Sequence, residues 1–131
     1  MSALSEVLDP YRRRIAVDAA ALAQATLTYA TSTVASGRTD GPFLSGQMRS
    51  ALSKLDTDIA AARRRVRALP RETPGRSQAY SALGTLAKGY SELRQSLTAV
   101  GTQDGIDAAE LAEQHLSDGG ERLEALRRYL R

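Results

Sequence analysis

Apolar residues in this chain recur at alternating spacings of four and three positions, and this spacing limits the fold more than any other feature. In the middle of the chain the pattern runs without a miss through Met48, Leu52, Leu55, Ile59, Ala62, Val66 and Leu69, and again through Ala79, Leu83, Leu86, Tyr90, Leu93, Leu97 and Val100. A mean period of 3.5 residues places every such position on one face of an α-helix. Neither stretch alternates with period two, so the sequence predicts no sheet.

The two outer stretches carry the same pattern with smaller residues at several positions. Their positions are Ile15, Ala19, Leu22, Thr26, Tyr29 and Thr33 near the start, and Ala109, Ala112, Leu116, Gly119, Leu123, Leu126 and Leu130 near the end. Each stretch therefore has one apolar seam, and four seams of similar length can enclose a shared core.

Turn-forming residues separate these stretches. They cluster at 36–42, 70–75 and 101–105. Four helical segments remain, at about 10–36, 44–69, 76–100 and 106–130. Equal lengths and short connections predict one all-α domain over residues 1–131, an antiparallel up-down-up-down four-helix bundle with left-handed heptad-type packing.

The residues ahead of the first segment predict a small additional element. Asp9 and Pro10 are typical of a helix start, with Asp9 as the N-cap and Pro10 in the first turn. Leu4 and Leu8 continue the apolar stripe backwards, so we expect a short N-terminal helical turn packed under the bundle. The pair Gly119-Gly120 leaves open whether the fourth helix is continuous or broken.

Composition sets further limits on compartment and chemistry. The chain has no cysteine, so it forms no disulfide, thiolate metal site or cysteine nucleophile. Its first residues carry two acids before a base and lack an apolar stretch, which does not fit a signal peptide. No apolar run approaches the ~18 residues of a membrane span. We expect a soluble protein of the cytoplasm.

The charges are distributed unevenly along the predicted bundle. The formal net charge is only +3, and 16 of the 18 basic residues are arginines. In the predicted topology, thirteen cations and six acids fall in the half of the bundle that contains residue 10, a charge of +7 against −4 for the rest. Those cations are Arg12, Arg13, Arg14, Arg63, Arg64, Arg65, Arg67, Arg71, Arg76, Arg122, Arg127, Arg128 and Arg131.

This basic end has two interpretations. Arginine is favoured at helix C-termini by the helix dipole, which explains residues 63–67 and 127–131 as a solvated cap. The dipole opposes Arg12, Arg13 and Arg14 at a helix start, which favours a binding surface for an anionic partner. The candidate binding residues are Arg12, Arg13, Arg14, Arg63, Arg64, Arg65, Arg67, Arg71, Arg76, Arg127, Arg128 and Arg131. Their partner would be an acidic protein surface, nucleic-acid backbone or anionic lipid.

Catalytic and metal-binding patterns are absent from the sequence. There is no Glu-x-x-His pair, Walker loop or Gly-x-Ser-x-Gly motif. His115 is the single histidine. A phosphotransfer role for it is disfavoured, because the nearby Asp118 carboxylate would repel a phosphoryl group. We therefore expect no enzyme activity, no metal and no cofactor.

A second candidate site lies in the opposite half of the bundle. Tyr29 and Tyr90 lie on the seams near Thr26 and Thr33, and buried phenol groups need hydrogen-bond partners. These four residues either satisfy one another or line a small polar pocket.

Three functions remain at this point. The leading hypothesis is a non-enzymatic interaction module, such as an adaptor, chaperone, immunity or assembly subunit, that binds an acidic protein partner through the basic end or a helix face. Val17, Leu27 and Leu111 could form such a face, although the usual width of a core-facing stripe favours their belonging to the apolar seams. The alternatives are an anion-binding protein acting on nucleic acid or a membrane surface, and a small-ligand-binding bundle. Oligomerisation stays open, because helices of another chain can complete a bundle.

Overall fold

The computed structural model describes residues 3–36, 46–98 and 102–126, with side chains described at all of these positions except 23, 25–36 and 46–49. The helices are α1 (Ala3–Ser36), α2 (Gly46–Arg67), α3 (Arg76–Thr98) and α4 (Gln103–Glu124). Within these ranges there is no strand. The predicted all-α four-helix bundle is confirmed.

The apolar seams form the core. Buried seam residues come from all four helices: Ile15, Ala19 and Leu22, then Leu55, Ile59, Ala62 and Val66, then Ala79, Leu83, Leu86 and Leu93, then Ala112, Leu116 and Leu123. Partly buried side chains such as Leu52, Leu69 and Leu97 pack around them. Burial of this contiguous apolar surface is the main force that holds the helices together.

Each helix packs against its neighbours in a ring. α1 contacts α2, α2 contacts α3, α3 contacts α4, and α4 returns to α1. Within the described ranges, α2 and α4 have at most marginal contact, so they occupy opposite corners of the bundle. Close contacts between α3 and α4 join early residues of one helix to late residues of the other, as in the hydrogen bond from Ser96 to Gly105. This relative direction of α3 and α4 is the one expected for antiparallel neighbours. The left-handed heptad-type packing stays a prediction.

The start of α1 differs from the sequence-based expectation. The helix begins at Ala3 and runs through Pro10 without a break, so the turn predicted ahead of Pro10 is the first part of α1. Asp9 is inside the helix and is not an N-cap; its carboxylate accepts a hydrogen bond from the Ser5 hydroxyl at 2.6 Å. Proline inside a helix costs about 3 kcal/mol. Complete burial of Leu4 and Leu8 offsets that cost.

α4 begins earlier and is more continuous than expected. Thr102 is its N-cap, and the threonine hydroxyl accepts a hydrogen bond from the Gly105 backbone N–H at 3.1 Å. The helix passes through Gly119-Gly120 unbroken and ends at Glu124, followed by a short 3₁₀ turn to 126. The predicted range of 106–130 is therefore shifted toward the N-terminus over the residues that the structure describes.

None of the helices in the described ranges combines the length and apolar character that a membrane crossing requires.

Candidate functional site: an arginine-lined groove between α2 and α3

Charge in this bundle separates by helix. α2 contains six basic and two acidic residues, a formal charge of +4. α4 contains seven acidic residues and one arginine, a formal charge of −6. Because these two helices lie at opposite corners, one side of the bundle is basic and the opposite side acidic. The sequence predicts polarity only from end to end, because it does not specify which helices are diagonal.

A basic groove of about 610 Å³ extends along α2. We call it the arginine groove, and its lining residues are Asp56, Thr57, Ala60, Arg63, Arg64, Arg67 and, from α3, Tyr80. The α2 residues recur at helical spacings of three and four, so they form one ridge on the outer face of the helix. Three guanidinium groups and one carboxylate give the groove a formal charge of +2.

Tyr80 holds Arg63 in place. The guanidinium carbon of Arg63 lies 5.1 Å from the centre of the Tyr80 ring, and Nη2 donates to the Tyr80 hydroxyl at 3.5 Å. A cation–π contact of this kind contributes about 0.5–1 kcal/mol at a partly exposed site. The Nε of Arg63 is buried and has no hydrogen-bond partner among the described residues. The Tyr80 contact therefore fixes the position of the Arg63 guanidinium at the groove.

Arg64 and Arg67 complete the cationic part of the groove. Both are exposed, and neither forms an ion pair with any residue that the structure describes. Arg76, the first residue of α3, donates from Nη2 to the backbone carbonyl of Arg67 at 2.9 Å. That bond ties the end of α2 to the start of α3, so the groove walls are fixed relative to each other.

Arg14 of α1 and Arg65 of α2 lie on a different face, around Tyr11. The guanidinium groups of Arg14 and Arg65 lie 5.5 Å and 5.7 Å from the Tyr11 ring centre. Arg14 also approaches Asp58 of α2 at 3.7 Å. These residues join α1 to α2 rather than forming a free cationic surface.

Arg12 bridges α1 and α4. Its Nη1 lies 3.4 Å from Glu124 Oε2, and its Nε lies 3.8 Å from Asp9 Oδ1. The sequence predicts Arg12 to be a binding residue, because the helix dipole disfavours arginine at a helix start. The structure shows two carboxylates beside it, which supply the compensating charge.

The other members of the predicted basic end are scattered. Arg13 and Arg71 are exposed, on α1 and on the connection after α2. Arg122 of α4 donates to Thr85 and Ser81 of α3 at 3.0 Å and 2.6 Å, so it fastens two helices together. Arg127, Arg128 and Arg131 lie outside the described residues.

Of the four residues in the predicted polar pocket, Tyr90 is the one whose side chain the structure describes. Tyr90 is half-buried on α3, and burial raises the pKa of its phenol above the ordinary value, with the Asp56 carboxylate raising it further and Arg94 lowering it. Asp56 also lines the arginine groove, so Tyr90 lies near the end of that groove. Tyr29, Thr26 and Thr33 belong to the part of α1 whose side chains lie outside the description.

His115 has a structural contact. Its Nδ1 lies 2.6 Å from Oε2 of Glu92, and both side chains are partly buried between α3 and α4. Over the described ranges, no three His, Cys, Asp or Glu side chains are grouped so that they could hold a metal ion. His115 therefore joins two helices.

Sequence reasoning identified the arginines of the groove but not the groove itself. The signal for its outer wall was present, because Ala60, Arg63, Arg64 and Arg67 share one face of α2. The opposite wall cannot be predicted from the residue spacing in α2. Tyr80 belongs to α3 and meets Arg63 only because the two helices pack together.

Comparisons with known proteins add no relative: the chain matches no family model, no curated protein and no solved structure.

Proposed function

We propose that this protein is a non-enzymatic interaction module that binds an acidic segment of a protein partner in the arginine groove. The observation that carries the proposal is the state of the three guanidinium groups. Arg63 is held by Tyr80, and Arg63, Arg64 and Arg67 have no carboxylate partner within the described structure. Prepositioned cations bind an anion at a smaller entropy cost than mobile ones.

The chemistry of the groove favours carboxylates. Guanidinium groups form paired, charge-assisted hydrogen bonds with carboxylates in a fixed geometry. Ala60, Thr57 and the Tyr80 ring supply less polar surface beside the charges, which suits a peptide with mixed side chains.

The length of the cationic part argues against nucleic acid as the main partner. Arg63 to Arg67 covers about 6 Å along the helix axis. A duplex that exchanges several phosphate contacts needs a longer basic stripe.

The test measures binding of a fluorescent peptide rich in Asp and Glu across a salt series, next to double-stranded DNA, single-stranded RNA and phosphatidylserine vesicles. We expect salt-sensitive binding of the acidic peptide. Replacing Arg63, Arg64 and Arg67 together by Gln should weaken it about tenfold or more, because three exposed guanidinium–carboxylate pairs at roughly 0.2–1 kcal/mol each are lost.

A matched variant removes the same charge outside the groove. Arg13→Gln, Arg65→Gln and Arg71→Gln together should leave most of the peptide binding intact, since these side chains do not line the groove. Equal losses in the two variants would show that binding depends on diffuse charge. Strong binding of DNA, RNA or vesicles without binding of the acidic peptide would favour the nucleic-acid or membrane alternative.

A further inference from the structure

The outer face of α4 carries an acidic surface whose dimensions match the arginine groove. We call it the acidic strip, and it consists of Glu110, Glu113, Gln114, Ser117, Asp118 and Glu121 around a shallow depression of about 530 Å³. Within the described structure, Asp118 pairs with Arg122 at 3.8 Å, and the three glutamates form no ion pair. The strip therefore presents three uncompensated carboxylates to solvent.

The two surfaces agree in length and in periodicity. The groove extends along α2 from Asp56 to Arg67, and the strip extends along α4 from Glu110 to Glu121. Each covers eleven residue steps, about 16 Å of helix. Both ridges are built from residues three and four apart, so the cations from Arg63 to Arg67, which cover about 6 Å of the groove, can lie opposite carboxylates along part of the strip.

An exposed leucine adds an apolar component to the strip. Leu111 is 46% exposed and lies three residues before Gln114 and seven before Asp118, on the same side of α4. In the groove, Ala60 and the Tyr80 ring provide apolar surface. Contact between the two surfaces would remove Leu111 from water, and this burial favours association independently of charge.

We propose that the arginine groove of one copy of this protein binds the acidic strip of a second copy. This inference rests on the proposed function, because it names the acidic partner of the groove. The net charge of +3 leaves little long-range repulsion between copies.

The position of the two surfaces determines the form of the assembly. A contact between two different surfaces is heterologous, and it adds further copies unless the rotation closes a ring. α2 and α4 are at opposite corners, so the copy that contributes its groove keeps a free strip, and the copy that contributes its strip keeps a free groove. The expected assembly is head-to-tail and grows with concentration.

Sedimentation velocity of the full chain over a concentration series tests this. At low salt the average mass should rise past that of a dimer, and at high salt it should return to that of the monomer, because the contact is mainly ionic. A single monomeric species at every concentration in low salt would overturn the proposal. The acidic-peptide experiment is independent, so the groove could still bind another acidic protein.

Charge reversal in two separate variants locates the contact. One variant carries Arg63→Glu, Arg64→Glu and Arg67→Glu, and the other carries Glu110→Lys, Glu113→Lys, Asp118→Lys and Glu121→Lys. Each alone should be monomeric, because its two surfaces then have like charge. Mixing them should restore association, since every groove then meets a strip of opposite charge. Association that persists in either variant alone would place the contact elsewhere and overturn the proposal.

Two separate substitutions that leave the charge unchanged test the same contact. Leu111→Gln should lower the association constant several-fold, because it removes apolar surface beside the strip. Val17→Gln is the matched control, since Val17 is also exposed, at 61%, but lies on α1. Equal effects from the two substitutions would contradict the assigned contact. Circular dichroism of each variant verifies that it is folded, and the salt series on the unmodified chain tests the proposal without any substitution.

Discussion

Gly119 of α4 lies directly against Leu86 of α3. A Cβ added to Gly119 would be 2.6 Å from Leu86 Cγ and 3.2 Å from the carbonyl oxygen of Ala82. The reciprocal contact occurs one step along the pair, where a Cβ on Gly89 would be 2.8 Å from Leu116 Cγ and 3.1 Å from its backbone nitrogen. Each glycine therefore makes room for a leucine of the other helix, and α3 and α4 approach closely along this line.

Substitution of Gly119 by alanine should destabilise the protein. Helix propensity improves by about 1 kcal/mol, but overpacking against Leu86 and a backbone oxygen costs about 1–3 kcal/mol. Its neighbour Gly120 has nothing within 4 Å of an added Cβ, so Gly120→Ala should increase stability by up to about 1 kcal/mol. Urea unfolding of the two variants measures the difference. Effects of the same sign and size would show that the helices are not in close contact at Gly119.

Loss of the Ser96 hydroxyl should loosen the start of α4. Ser96 is fully buried, and its Oγ donates to the carbonyl oxygen of Gly105 at 2.7 Å. Ser96→Ala should therefore lower the free energy of unfolding by about 1 kcal/mol. The control is Ser91→Ala, at an exposed position of the same helix, which should change stability by less than about 0.5 kcal/mol. Guanidinium unfolding compares them, and similar effects at the two serines would contradict this role.

Stability should fall at alkaline pH through Tyr90. Its pKa is raised in the folded state, first by burial and then by the Asp56 carboxylate, so the folded protein holds this proton more firmly than the unfolded chain does. The stabilisation is fully present below the unfolded-state pKa of about 10 and is lost as pH rises through the folded-state pKa. Tyr90→Phe should make unfolding less dependent on pH in this range.

A second substitution tests the cause of that shift. Because Asp56 raises the pKa of Tyr90, Asp56→Asn should bring the pKa closer to its ordinary value. Ultraviolet absorbance of the phenolate follows the titration directly. A Tyr90→Phe variant with an unchanged alkaline slope of stability would contradict the assignment.

Replacement of Pro10 should stabilise α1. Proline at this position cannot donate a backbone hydrogen bond to the preceding turn, and Pro10 lies inside the helix. We expect Pro10→Ala to raise the free energy of unfolding by about 1–2 kcal/mol, after allowance for the greater freedom of the unfolded chain. Thermal unfolding with circular dichroism measures this. A loss of stability would instead support the helix start at Asp9 and Pro10 that the sequence predicted.

The number and position of the helices could be read from the sequence because helical periodicity is a local property. The spacing of Leu55, Ile59 and Val66 specifies a buried face before any partner is known. Helix ends were predicted less well. At Pro10 the local preference for a helix start is outweighed by burial of Leu4 and Leu8, a gain that exists only in the packed bundle.

The candidate site also combines features that the sequence determines with features that only helix packing determines. The sequence by itself determined that the chain forms amphipathic helices with an excess of arginine on α2 and of carboxylates on α4, since each helix carries its own residues wherever it packs. Only the tertiary structure decided which charges are neutralised. Arg12 meets Glu124 across the bundle, and Arg63 stacks on Tyr80, while Arg64 and Arg67 line an open groove. Coulomb and cation–π energies depend on distances between side chains far apart in sequence, and those distances are set by packing of the helices.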